Sequence, residues 1–181
     1  MALVLASLGC AFAETVPSVT VADVVTVTEA VSSTGVPLPA DFAVNVAPQN
    51  ETSTALIAEI AEFVKSAPVA EFFGNDVAMT IATQLPEGTD VSALKLSELQ
   101  PMVISNYDEA CGDVVMTVSA AVEYADGAAV VALAGISGET GIVWYPLEAS
   151  VTGGKVEVKF TQEVLTAAAG NEICFALLSA E

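Results

Sequence analysis

The chain from Gly112 to Ile136 reads GDVVMTVSAAVEYADGAAVVALAGI. Asp126-Gly127 is a strong signal for a tight two-residue turn, because a type I′ turn needs positive φ at both central residues. Before it, Val114, Met116, Val118, Ala120, Val122 and Tyr124 alternate with Val115, Thr117, Ser119, Ala121 and Glu123, the period of a strand with one buried face. If Asp126-Gly127 closes a hairpin, Tyr124 faces Ala129, Val122 faces Val131 and Ala120 faces Leu133. Directly opposed residues share a face, so this register predicts Val131 and Leu133 in the same core as Val114, Met116 and Val118.

Working outward, the C-terminal half continues in the same style. Val143, Tyr145, Leu147, Ala149 and Val151 alternate with Trp144, Pro146, Glu148 and Ser150. Pro146 lacks an amide donor and predicts an edge or a bulge. After Gly153-Gly154, Val156, Val158 and Phe160 alternate with Lys155, Glu157 and Lys159. Thr161 predicts the cap of a short helical turn ending at Gly170, and Ile173, Phe175 and Leu177 predict a last strand. Leu94 to Leu96 and Met102 to Tyr107 predict two earlier strands, the second starting after Pro101. About seven strands spaced in this way predict an antiparallel sandwich of immunoglobulin-like kind over residues 93–181.

Residues 14–92 predict a smaller α+β part. Val19 to Val21 and Val24 to Thr28 carry the β-branched residues of strands. Ser32 to Pro39 is a loop, and Phe42, Val44 and Val46 alternate. Leu56, Ile57, Ile60, Phe63 and Val64 share one face of a helix over 54–65, with Glu59 and Glu62 on the wet side and Ser53 or Thr52 as the cap. A second helix spans about 76–84, with Asn75 as its cap and Val77, Ala78, Ile81, Ala82 and Leu85 on one face. The segment from Pro68 to Phe73 has no clear assignment. The fold class expected overall is α+β, mostly β.

Composition narrows the chemistry. The 181 residues are 54% hydrophobic and carry four lysines, no arginine and no histidine against 23 acidic residues, a net charge of −19. Nucleic acid is not an expected partner, since phosphate contacts need a basic stripe. Without histidine, Ser-His-Asp and Cys-His catalysis are unavailable, and so is the commonest zinc ligand. No structural zinc, transition-metal centre or other cofactor is expected.

The first thirteen residues, MALVLASLGCAFA, form an apolar run ending in a small-x-small pattern before Glu14, as in a secretory signal. It is too short to span a membrane. A competing reading makes Ser7-Leu8-Gly9-Cys10 a lipoprotein site with Cys10 lipidated. Secretion, with residues 1–13 as signal peptide, is therefore expected, and no membrane span. Cleavage leaves Cys111 and Cys174, either a bridge or two buried small hydrophobes.

Five phrases occur together: PVAEFF at 68–73, LPEGTDV at 85–91, NYDEACGDV at 106–114, WYPLEA at 144–149 and VKFTQEVL at 158–165. They resemble small secreted proteins of Gram-positive gut bacteria that end in a β-sandwich-like domain and have no assigned activity. The resemblance covers roughly residues 50–181. It implies secretion and the fold class, and it carries over no site residue.

Few residues stand out as functional. Asn106, Asp108, Glu109 and Asp113 cluster as calcium ligands do, but Ala110 and Cys111 break the EF-hand pattern, which favours a solvated turn. Carboxylate pairs suited to glycoside hydrolysis carry no specificity among 23 acidic residues. A lysine-asparagine isopeptide crosslink needs a buried lysine: Lys155 and Lys159 fall on the wet parity and Lys65 on a helix end, which leaves Lys95, with exposed neighbours, as the one open position. Trp144, the only tryptophan, is the one candidate for a ligand or partner contact, protein or carbohydrate, since it offers a flat apolar surface and one N–H donor. Its parity also suits burial beneath Leu56, Ile60 or Phe63, and that structural role is the one expected. The functional expectation is a secreted, acidic, non-catalytic binding or surface-associated module; the alternative is a carboxylate-based extracellular hydrolase.

Overall fold

Side-chain alternation in a strand decides which face is buried, and here two faces are buried in different ways. The computed structural model describes residues 25–120, 122–139 and 141–180. Its strands are β1 (Thr26–Ser32), β2 (Ala43–Val46), β3 (Lys95–Ser105), β4 (Val114–Ser119), β5 (Val130–Gly138), β6 (Gly141–Thr152), β7 (Lys155–Phe160) and β8 (Glu172–Ser179). Its helices are α1 (Glu51–Phe63), α2 (Val69–Phe72), α3 (Asn75–Gln84) and α4 (Gln162–Ala168). The protein is thus mostly β, and every strand pairing is antiparallel.

The strands form one sheet in the order β1-β4-β7-β6-β5-β8-β3-β2, rolled nearly into a barrel. Strands from both sides of residue 93 share it: β1 pairs with β4 and β2 with β3. The long strand β6 joins the two halves. Ile142 to Leu147 pair with β5, and Glu148 to Thr152 pair with β7. Pro146 lies where β6 has no β7 neighbour, so its missing donor breaks no ladder, as its edge-like character required.

Inside the roll lies the main core. Met116 and Val118 of β4, Val156, Val158 and Phe160 of β7, and Ile173, Phe175 and Leu177 of β8 are sealed in it. Outside the roll, α1, α2 and α3 cover the opposite face of β5, β8 and β3 through Leu56, Ile60, Phe73 and Ile81. Val131 and Leu133 of β5, Cys174, Ala176 and Leu178 of β8, and Leu99 of β3 face this second cluster.

That division corrects the expected hairpin. β4 and β5 do not pair; β7 and β6 stand between them. Three strand spacings, roughly 14 Å, separate them, more than a two-residue turn can bridge. The turn itself exists: Ala128 N donates to Ala125 O, and Gly127 has φ +74°. It docks on the β6–β7 turn, with Gly127 N donating to Val151 O and Gly153 N to Asp126 Oδ1. Val131 and Leu133 sit opposite Leu178 and Ala176 and face the helices. Val130 to Ile136 are all buried. A strand covered on both faces has no polar alternation to fix its parity, so a one-residue error reverses every side chain.

Other differences have equally local causes. The two expected strands before and after Pro101 are one strand. Pro101 O accepts from Ala47 N, so its ring nitrogen faces the side on which β2 has ended, and no bond to β8 is lost. A one-residue bulge at Ser97 shifts the β3–β8 register. The cap of α1 is Asn50, not Thr52 or Ser53: Asn50 Oδ1 accepts from Ser53 N and Ser53 Oγ accepts from Asn50 N, a reciprocal box. Gly74, with φ +105°, precedes α3, and Asn75 is already helical. Pro68 to Phe73, which the sequence left unassigned, forms α2. The expected strands at Val19 to Val21, the start of the one at Val24, and the signal segment lie outside the described residues.

Candidate functional site

Trp144 lies on β6 opposite Gly135 of β5. Its ring meets the edge of Phe73, with centroids 4.8 Å apart and planes at 76°. Phe73 continues the edge-to-face chain to Phe72 at 5.4 Å and then Phe63 at 5.5 Å. The half-buried indole thus packs against the helical cluster that holds Leu56 and Ile60, and its ring partner there is Phe73. Gly135 makes the room: a Cβ there would stand 2.7 Å from Trp144 Cζ3. The sequence pointed to a covered Trp144 but missed Phe73, because the segment carrying it had no assigned structure.

Two carboxylates of the acidic loop, Asp108 and Asp113, each accept from a backbone amide. Asn106, with φ +58°, donates from Nδ2 to Asp41 O at 2.8 Å. Asp108 Oδ1 accepts from Ala110 N at 2.9 Å and caps a 3₁₀ turn. Asp113 Oδ1 accepts from Gln162 N at 2.9 Å at the start of α4, and its other oxygen lies 3.3 Å from Lys159 Nζ. Tyr107 donates its hydroxyl to Gly112 O at 2.7 Å; burial, followed by Cys111 and the loop carboxylates, raises its pKa. No group of three or more metal-ligating side chains occurs among the described residues.

Asp113 yields a pH prediction. The Gln162 amide, helped by Lys159, holds its carboxyl below the ordinary value. A lowered folded pKa stabilises above the unfolded value, about 3.9, and that gain disappears as pH falls through the folded value. Asp113→Ala is therefore expected to cost about 1 kcal/mol at pH 7, as cap losses do. In urea unfolding at stepped pH, the gap between wild type and variant should close below the unfolded value. A gap that stays constant into acid would refute this role.

Among the described residues the cysteines are Cys111 and Cys174, both buried and not disulfide-bonded to each other. Cys174 faces the helical cluster, whereas Cys111 lies by the β1–β2 connection, its thiol 3.7 Å from Pro37 O. Burial, with Glu172 nearby, pushes the Cys174 thiol up. Lys155 and Lys159 lie on the outer parity of β7, as expected, and Lys159 also reaches Glu148 at 3.6 Å.

One sizeable concavity among the described residues was not foreseen. It is a groove of about 570 Å³ between α1 and the first half of β3. Ile57, Ile60, Ala61 and Val64 form one wall, Leu94, Leu96 and Leu99 the other, and Pro68 and Val69 close one side. The helix sequence contained half the signal, since Val64 is 45% exposed although it falls on the apolar face. The charged residues of the lining are Lys95 and Glu98. Glu98 is 4% exposed and already engaged. Among the described residues Lys95 makes no ion pair, while Lys65 pairs with Glu62 and Lys159 with Asp113 and Glu148. The size and lining are those of a small-molecule site, apolar with few polar groups.

No helix among the described residues is long and apolar enough to cross a membrane. Comparisons with protein-family models, with curated proteins and with solved structures find no match.

Proposed function

We propose that this protein is a secreted, acidic, non-catalytic binding module, and that the α1–β3 groove is its binding surface. The groove is the observation that carries the reading. An apolar hollow of about 570 Å³, held between a capped helix and a strand paired to β8, offers burial and shape. It is lined by one lysine and one engaged, buried carboxylate. A hydrolase of the carboxylate type needs two acidic groups facing one substrate space, and this lining does not supply a pair. The secretory pattern of residues 1–13 and the resemblance to secreted proteins of Gram-positive gut bacteria support export, with lipidation at Cys10 as the competing route. The net charge of −19 keeps such a protein dispersed through self-repulsion.

An environment-sensitive apolar dye tests the binding surface. It should bind the native protein with one site, and Ala61→Trp, which places a large ring in the groove, should weaken binding at least about tenfold, the equivalent of some 1.4 kcal/mol. Equal binding to both proteins, with the variant still folded by circular dichroism, would refute the assignment.

A further inference from the structure

We infer that the groove is a strand-addition site: it takes an extended, basic peptide of another protein, apolar at every second residue, which pairs with the edge of β3 beside α1. This rests on the groove being the binding surface. The edge is the first part of the argument. β2 pairs with β3 only from Met102 to Ser105, and Ala47 N then donates to Pro101 O. From Gln100 back to Lys95 β3 continues for about 17 Å at strand rise. Among the described residues no strand pairs with that side of it. Residues of an antiparallel ladder point their N–H and C=O to alternate sides. Pro101 points toward β2, so Leu99 points toward the same edge. Leu99 is 1% exposed, and buried backbone groups are nearly always paired. A strand laid along this edge would pair them.

The lining places the groove at this edge rather than over the middle of the sheet. Every residue from Leu94 to Leu99 lines it, and none from β8 does. Lys95 stands opposite Ser179 and Glu98 opposite Leu177, so their side chains lie on the face away from α1 and their backbone meets the groove. The two faces of this half-strand set the pattern of the peptide. Leu96 and Leu99 join Ile57 and Ile60 in the helical cluster, whereas Lys95, Glu98 and Gln100 share the other face. Opposed residues share a face, so the added strand is apolar toward α1 and polar on the other side. The net charge of −19 favours a basic peptide. Main-chain bonds supply affinity, and the apolar wall selects the side chains.

Isothermal titration of the full-length protein tests this with an eight-residue peptide in which valine alternates with threonine and lysine. Two N-methylated forms are compared, one methylated at the valines and one at the residues between them. Each loses the amide donors of one strand edge and keeps its side chains. One form should bind about tenfold more weakly than the parent, because edge carbonyls lose their donors, and the other about equally. A peptide with glutamate in place of lysine should bind more weakly. Ala61 is exposed, so Ala61→Trp leaves the core untouched, and it should weaken the parent peptide. The parent should also slow hydrogen exchange at the Leu99 amide. Equal affinity of the two methylated forms, or an unchanged Leu99 exchange rate, overturns the inference, because the edge is then not used. Peptide binding undiminished in Ala61→Trp places it elsewhere and also overturns it. Decanol binding more tightly than the peptide overturns it in favour of a small apolar ligand. A dimer in sedimentation that the peptide dissociates gives the edge to a second copy and overturns it as well. Dye binding without peptide binding overturns the inference and leaves the reading beneath it. Failure of both dye and peptide removes both.

Discussion

Replacing Phe160 with Ala is expected to destabilise the protein by about 3–5 kcal/mol, the cost of deleting a fully buried aromatic ring. Phe160 has no exposed surface and ends β7 opposite Val114 of β4. Its ring stacks on Phe175 of β8, with centroids 6.2 Å apart and planes at 27°. β7 belongs to one half of the rolled sheet and β8 to the other, so this contact spans the core between halves joined covalently by β6. The next residue, Thr161, caps α4 through Val164 N, and Val164 and Leu165 enter the same core. Loss of the ring therefore leaves a cavity bounded by both halves and by α4. Urea unfolding followed by circular dichroism measures the effect. A loss below about 1 kcal/mol, far under the range for such a deletion, would mean that the two halves do not share this core.

The second large effect is expected where the helical layer meets the sheet. Trp144→Ala should cost about 3 kcal/mol, the low end for a large aromatic, because the indole is half-buried. Gly135→Ala should cost about 1–3 kcal/mol by overpacking. Its new Cβ would stand 2.7 Å from Trp144 Cζ3 and 2.8 Å from Ile142 Cγ2, and the indole also packs against the Phe73 ring. A smaller unfolded-state gain from Gly→Ala, about 0.4–1 kcal/mol, works the other way. The two changes touch, so they should not add: in the double variant, removing the ring frees the space that the new methyl group needs. A coupling of about 1 kcal/mol or more is expected, within the range for contacting residues. Trp144 is the sole tryptophan, so circular dichroism rather than indole emission must follow unfolding in this series. Additive single effects would show that Gly135 and Trp144 do not bear on each other.

Much of the architecture was legible where one face of an element is wet. β7 alternates between Lys155, Glu157 and Lys159 outside and Val156, Val158 and Phe160 inside, and its parity and length followed directly. α1 showed its stripe because Glu59 and Glu62 mark the wet side. The Thr161 cap and α4 followed from a hydroxyl ahead of an apolar turn. Legibility failed where both faces are covered. β5 is apolar through its buried length, so its sequence could not say which residues face the roll and which face α1–α3. Asp126-Gly127 specified a turn, but a turn signal does not name the strand that follows in space. The immunoglobulin-like topology inferred from strand spacing was too fine: spacing along the chain does not fix strand order, and the halves are continuous through β6.

The candidate site was less visible still. Trp144 drew attention because it is unique and falls on the parity away from the core, yet its neighbours Phe73 and Gly135 come from other segments of the chain. The groove depends on how α1 lies against β3, and on a bulge at Ser97 that no local motif announces.

Methyl-resolved NMR of the isotopically labelled protein, recorded with and without the apolar dye, tests the central claim most directly. The groove account predicts shifts concentrated at Ile57, Ile60, Val64, Leu94, Leu96 and Leu99, which line one hollow from two elements far apart in sequence. The methyls of Val156, Val158 and Ile173, sealed inside the roll, should stay unchanged. Shifts that instead surround Ile142 and the outer face of Trp144, with Ile57, Val64 and Leu96 unmoved, would contradict the account and make the aromatic face of β6 the binding surface.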